Sequence, residues 1–228
     1  MSGSIEFEVC AEGLEACDAA REGGAQRIEL CCALSEGGLT PSHALLRAAV
    51  ERSGLPVYVL LRPRGGDFVY SEDEWSLVEA DLLHAKELGA AGFVAGALDA
   101  AGFVEVKRMR RLVEMAGGRE VTFHRAFDAV VDQEQALEAV IAAGCGRVLT
   151  SGGAPDVLAG AEQLRRLGEQ AAGRIAVMAG GGLRVESAAA VARVSGLRRF
   201  HGSLRGQRVD AAAVGAMMAA LRGGMSGA

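Results

Sequence analysis

Gly24-Ala25-Gln26-Arg27-Ile28 recurs as Gly144-Cys145-Gly146-Arg147-Val148 and again as Gly196-Leu197-Arg198-Arg199-Phe200. Gly89-Ala90-Ala91-Gly92-Phe93 keeps the pattern without its arginine. A glycine so placed can end a helix in the left-handed conformation, and an apolar strand begins shortly after it. Working outward from these repeats, strands are expected at Ile5–Ala11, Arg27–Cys32, Val57–Arg62, Gly92–Ala97, Glu120–Arg125, Arg147–Ser151, Arg174–Ala179 and Arg199–Gly202. Stretches of helical period lie between them, such as Glu74–Leu88 and Gln133–Ala143. Strand and helix in strict alternation give βαβ units and a parallel sheet. One connection recurring at the second, fourth, sixth and eighth units favours closure, so the fold class is α/β, a (β/α)8 TIM-type barrel. An open Rossmann or flavodoxin-like sheet is the alternative, and it lacks a G-x-G-x-x-G after the first strand.

No linker divides the 228 residues, so residues 1–228 are expected to form a single barrel domain. Half of the residues are hydrophobic and few are aromatic, which leaves the small apolar types to fill the core. A net charge of −5 argues against a nucleic-acid partner, because phosphate backbones call for a basic face. Five cysteines without a recurring spacing read as free thiols in a reducing compartment. The N-terminus alternates polar and apolar residues and does not read as a signal peptide. No apolar run reaches spanning length, so no membrane partner is expected. A cytoplasmic homo-oligomer is the expectation.

Alternate side chains of a barrel strand point inward. In the first strand Ile5, Phe7 and Val9 suit the helix-facing side, which turns Glu8 and Cys10 in. The same parity turns in Glu29 and Cys31 on the second strand and Arg62 on the third. It does so for His124 on the fifth, Met178 and Gly180 on the seventh, and His201 with Ser203 on the eighth. These positions gather toward strand C-termini, where barrel enzymes place their chemistry. The plain alternative is a buried ion-pair network that only fills the barrel. His43 and His84 fall on helices and read as solvated or capping residues.

Gly180-Gly181-Gly182 follows the seventh strand and His201-Gly202-Ser203-Leu204-Arg205-Gly206 follows the eighth. Backbone N–H groups of such loops, with a helix N-terminus, suit an anion. Ser151, after the sixth strand, adds a donor, and Arg62 and Arg64 add guanidinium groups. The anion-binding candidates are therefore Arg62, Arg64, Ser151, Gly181, Gly182, His201 and Ser203. Glycines that merely permit tight turns are the alternative.

Cys10 and Cys31 share inward parity near the ends of adjacent strands, which lie about 4.8 Å apart. Two such thiolates can hold a soft ion such as Cu(I), with Met178 approaching as a thioether. The competing reading is that both are packed as small hydrophobes. Cys17 and Cys145 read as packing residues, and Cys32 has outward parity.

At these residues the chain resembles the CutC copper-homeostasis family. The resemblance runs from Glu8-Val9-Cys10 to about Ser203. It rests on Arg27-Ile28-Glu29-Leu30-Cys31, Gly37-Gly38-Leu39-Thr40-Pro41-Ser42 and Arg62-Pro63-Arg64-Gly65-Gly66-Asp67-Phe68 in combination. Thr122-Phe123-His124-Arg125-Ala126-Phe127-Asp128 and Leu149-Thr150-Ser151-Gly152-Gly153 extend it. It implies a (β/α)8 barrel, a cytoplasmic location, a link to copper tolerance and Cu(I) at Cys10 and Cys31. The loop after Ser203 looks shorter than in many relatives.

Two functions stay open. One is a Cu(I)-binding protein of copper homeostasis. The other is an enzyme acting on a small phosphorylated or carboxylated metabolite. Its acid/base candidates are Glu8, Glu29 and His124, with Asp128 orienting His124 or Arg125. No organic cofactor is expected. Lys86 and Lys107 are the two lysines and neither lies on a strand, which disfavours a Schiff base. No His-x-His ends the first strand, and Thr150-Ser151-Gly152-Gly153 is no nucleophile elbow.

Overall fold

The computed structural model describes residues 4–204 and 209–225. Eight parallel strands close in sequential order: β1 (Glu6–Ala11), β2 (Arg27–Leu30), β3 (Val57–Leu60), β4 (Gly92–Ala95), β5 (Glu120–Phe123), β6 (Arg147–Thr150), β7 (Ala176–Gly180) and β8 (Arg199–Gly202). Glu8 of β1 pairs with Arg27 on one side and with His201 on the other, which seals the barrel. A helix follows each strand: α1 (Leu14–Glu22), α2 (His43–Arg52), α3 (Glu72–Glu87), α4 (Val106–Ala116), α5 (Gln133–Ala142), α6 (Ala161–Ala171), α7 (Val185–Ser195) and α8 (Ala211–Met225).

The repeated glycines end their helices as expected. After α1, Gly24 has φ of +83°, its N–H bonds Arg21 O, and Ala25 N–H bonds Ala20 O. Gly89 and Gly144 repeat the same pair of bonds after α3 and α5. This is the Schellman closure, which satisfies orphan helix carbonyls and needs a residue tolerant of positive φ. Helix starts are set as firmly. Ser71 and Glu74 form a capping box at α3, and Asp132 accepts two backbone N–H groups at α5.

Strand parity separates two apolar sets. Phe7, Ile28, Phe93, Phe123 and Phe200 are fully buried between strands and helices. Burying each such side chain contributes roughly 1.5–3 kcal/mol. Inside the barrel a small second cluster holds Cys10, Cys31, Leu60 and Val94. Most strands stop one or two residues earlier than the sequence suggests, and their final inward residues sit on the loops that follow.

The N-terminal end of the barrel is plugged by charge, a feature that sequence parity did not single out. Arg27 Nε donates to Glu8 at 2.5 Å and its Nη1 to Glu120 at 2.7 Å. Its guanidinium carbon lies 3.2 Å from the Tyr58 ring centroid. Arg147 bonds Glu6 at 2.5 Å and Glu120 at 3.1 Å. These are the arginines of the repeat. The third of them, Arg199, stays exposed.

Candidate functional site

With the lower end filled by ion pairs, a cavity of about 580 Å³ opens at the strand C-termini. Its floor and walls include Cys10, Glu29, Leu60, Arg62, His124 and His201. Gly181, Gly182, Ser203, Arg125 and Arg184 stand at its rim, and Phe68 and Leu34 close the side.

Glu8 lies one layer below this cavity, in mid-strand and fully buried, and does not line it. It reaches the site through His201, whose Nδ1 is 2.7 Å from Glu8 Oε1. Burial opposes ionisation of Glu8, but Arg27 and then His201 hold its carboxyl down at about 2. Burial likewise opposes a charged His201, yet the carboxylates of Glu29 and Glu8 raise its pKa. Glu29 is itself raised, chiefly by burial. Groups of opposite character thus meet in one small volume, as chemical sites require.

Cys10 and Cys31 are both reduced and buried, with sulfurs 3.6 Å apart. Glu29 Oε1 lies 3.5 Å from the Cys10 sulfur. The Cys31 sulfur, burial and Glu29 all push the Cys10 thiol well above its usual range. Ligand atoms of Cys10, Glu29 and His201 lie within 4.8 Å of one another. Among the described residues Cys31 does not join that group; it meets it through Cys10. Cys10 is therefore the atom common to both sets of donors. Met178 does not approach the thiols: its Sδ lies 3.6 Å from Arg147 Nη1, facing the lower ion pairs.

His124 takes the opposite character. Its Nδ1 accepts the N–H of Ala126 at 3.2 Å. Burial, and Arg62 nearby, lower its pKa to about 3, so the ring is neutral. Gly96 makes this placement possible, since a Cβ there would lie 2.6 Å from His124 Nδ1.

The structure does not bring every predicted residue to the cavity. Arg64 turns away, with Nε 2.5 Å from Glu74 and Nη2 2.9 Å from Asp67, and it organises the loop before α3. Asp128 orients Arg125, not His124: its carboxylate accepts Arg125 Nε at 2.7 Å, the Thr150 hydroxyl at 2.5 Å and the Ser151 N–H at 3.0 Å. Ser151 is fully buried and gives its hydroxyl to Ala154 O, so it supports Arg125 from behind. Arg205 and Gly206, and the length of the loop after Ser203, lie outside the described residues. His43 and His84 pair at 2.8 Å on the exposed faces of α2 and α3. Sequence reasoning named Arg125 only as a group Asp128 could orient, not as a cavity residue, and missed Arg184. Their signal was available: each follows directly on a segment already marked, Arg125 after His124 and Arg184 after the glycine loop.

Residues 5–206 match the family model described as CutC family. A family protein CutC of Chromobacterium violaceum is 50% identical over 205 residues, covering 90% of this chain and 83% of the relative. One from Xylella fastidiosa is 48% identical over 205 residues, covering 90% of this chain and 77% of the relative. Among solved structures, a Streptococcus agalactiae CutC to which copper homeostasis is ascribed is 32% identical. It superposes with a TM-score of 0.81 over 87% of this chain and 98% of that one.

Proposed function

The chain belongs to the CutC family, and from that premise we propose that it is a copper homeostasis protein holding Cu(I) at the barrel mouth, with Cys10 as the shared ligand and Cys31 beside it. The observation that carries this reading is the pair of reduced sulfurs 3.6 Å apart. Soft thiolates select Cu(I). The two sulfurs, with a third donor beside them, would hold the ion and keep it in the soft-ligand environment that Cu(I) favours.

His201 fits the third place. Its Nδ1 is held by the Glu8 carboxylate, so Nε2 is the nitrogen left for a metal once its proton is lost. A carboxylate on the far nitrogen of a ligating histidine fixes the ring and strengthens the ligand. Glu8 is thereby given a supporting role.

No helix among the described residues is long and apolar enough to cross a membrane. Five free cysteines suit the reducing cytoplasm, where we place the protein.

An anaerobic titration against a competing Cu(I) chelator tests the proposal. The wild type should take one equivalent. Cys10→Ser combined with Cys31→Ser should take none while melting as a folded protein. Equal affinity in the double variant would overturn the assignment.

A further inference from the structure

The copper reading leaves part of the cavity wall without a role. Arg62 Nε, His124 Nε2 and Glu29 Oε2 are buried and have no hydrogen-bond partner. Each of these residues is 5% exposed and lines the cavity. A buried polar atom left unpaired is costly, so three on one wall need an explanation.

Two of the three are donors fixed in place. His124 Nδ1 accepts from a backbone N–H, so the neutral ring carries its proton on Nε2. The Arg62 guanidinium is pinned by Glu36 O at 2.8 Å, Gly38 O at 3.0 Å and Gly66 O at 2.8 Å. Its Nε–H makes no such bond, and the Tyr70 hydroxyl, likewise unpaired, lies close to the same guanidinium. The Phe68 ring packs against both residues, with its centroid 4.9 Å from that of His124 and 5.0 Å from Arg62 Cζ. Both residues therefore border one patch of the wall.

The rim adds positive charge. Arg125 is anchored by Asp128 through Nε, and Arg184 is exposed beside it on the glycine loop. A chain of net charge −5 thus gathers Arg62, Arg125 and Arg184 at one opening. Guanidinium groups suit carboxylate and phosphate. Gly181 shapes the same rim, since its φ of +115° excludes a side chain and a Cβ would lie 2.9 Å from Arg125 Cζ.

We propose that the cavity binds a short dianionic metabolite, one oxyanion accepting from His124 Nε2–H beside the Arg62 guanidinium and the second meeting Arg125 and Arg184 at the rim. Carboxylates and phosphates share this chemistry. Of the thiol pair only Cys10 lines the cavity, so Cys31 takes no part in this site. It shares Cys10 and Glu29 with the copper site, so a bound dianion would stand directly over the metal.

The test is calorimetric titration of the metal-free full-length protein with succinate, 2-phosphoglycolate, acetate and inorganic phosphate. At least one dianionic compound, succinate or 2-phosphoglycolate, should bind at least about tenfold more tightly than acetate and phosphate. Preference for succinate assigns a dicarboxylate, and preference for 2-phosphoglycolate assigns a phosphate ester. His124→Phe and the exposed Arg184→Met should each weaken that binding about tenfold. Cys31→Ser should bind the dianion within about twofold of wild type, even as it loses Cu(I), which separates the two sites. Absence of binding by all four compounds at about 10 mM would overturn the proposal. So would unchanged affinity in both variants, with Arg184→Met deciding the matter if His124→Phe fails to fold.

Discussion

Replacing Glu8 with Gln probes the link between the barrel's ion pairs and its mouth. Glu8 is fully buried and takes Arg27 Nε at 2.5 Å and His201 Nδ1 at 2.7 Å. Removing one member of a buried ion pair typically costs about 3–5 kcal/mol. Here Glu120 still neutralises Arg27 at 2.7 Å, and the amide oxygen can accept one of the two bonds. The expected loss is therefore at the low end, about 3 kcal/mol. Linkage gives an independent figure. A carboxyl held at about 2 rather than 4.5 corresponds to about 3 kcal/mol at neutral pH. That contribution is present in full above pH 4.5 and is lost as pH falls toward 2. Denaturant unfolding followed by the fluorescence of buried Trp75 reads the loss. A chain of this size should drop by about 6–12 °C in melting temperature. The His201 pKa, followed by NMR, should also fall, since one of the carboxylates that raise it is gone. A stability loss below about 1 kcal/mol, the scale of an exposed pair, with an unmoved His201, would refute the claim that Glu8 braces the site.

Three further outcomes are expected. His124 stays neutral in the folded state to about pH 3 but takes a proton near 6.5 when unfolded. Stability should therefore fall by up to about 1.4 kcal/mol per pH unit between those values, and His124→Phe should remove that slope in acid unfolding curves. Gly96→Ala should displace the His124 ring, because the new Cβ would lie 2.6 Å from Nδ1. Its cost should be about 1–3 kcal/mol in denaturant, with dianion affinity reduced. Cu(I) affinity should rise with pH, by up to about tenfold per unit for each proton displaced, since the Cys10 thiol is held protonated in the apo protein; a flat profile from pH 6 to about 8 would argue against thiolate ligation.

The fold was legible because its punctuation is written in the chain. Gly24, Gly89, Gly144 and Gly196 all adopt the positive φ that a helix end asks of glycine. Parity along β1 and β2 also placed Cys10, Glu29 and Cys31 correctly, because one side of each strand is consistently apolar. Depth within the barrel was not legible. Parity says that Glu8 points inward but not at which layer, and only the stagger of the closed sheet pairs it with Arg27. Nor does parity extend past a strand's end, which is why Arg64, on a loop, was assigned to the cavity and is found bonded to Glu74 and Asp67, while of the two partners expected for Asp128 only Arg125 is the one it holds. Arg125 was weighed only as a partner of Asp128, not as a cavity residue, for the same reason. Its direction is set by the short 3-10 turn Arg125–Ala129 and by its bond to Asp128.

X-ray absorption at the copper edge of the Cu(I)-loaded protein tests the central claim most directly. The account predicts a first shell containing two sulfurs and a third, lighter donor. The sulfur shell should vanish in the Cys10→Ser, Cys31→Ser double variant. A wild-type shell of nitrogen and oxygen alone, or a sulfur shell that survives in the double variant, would contradict it.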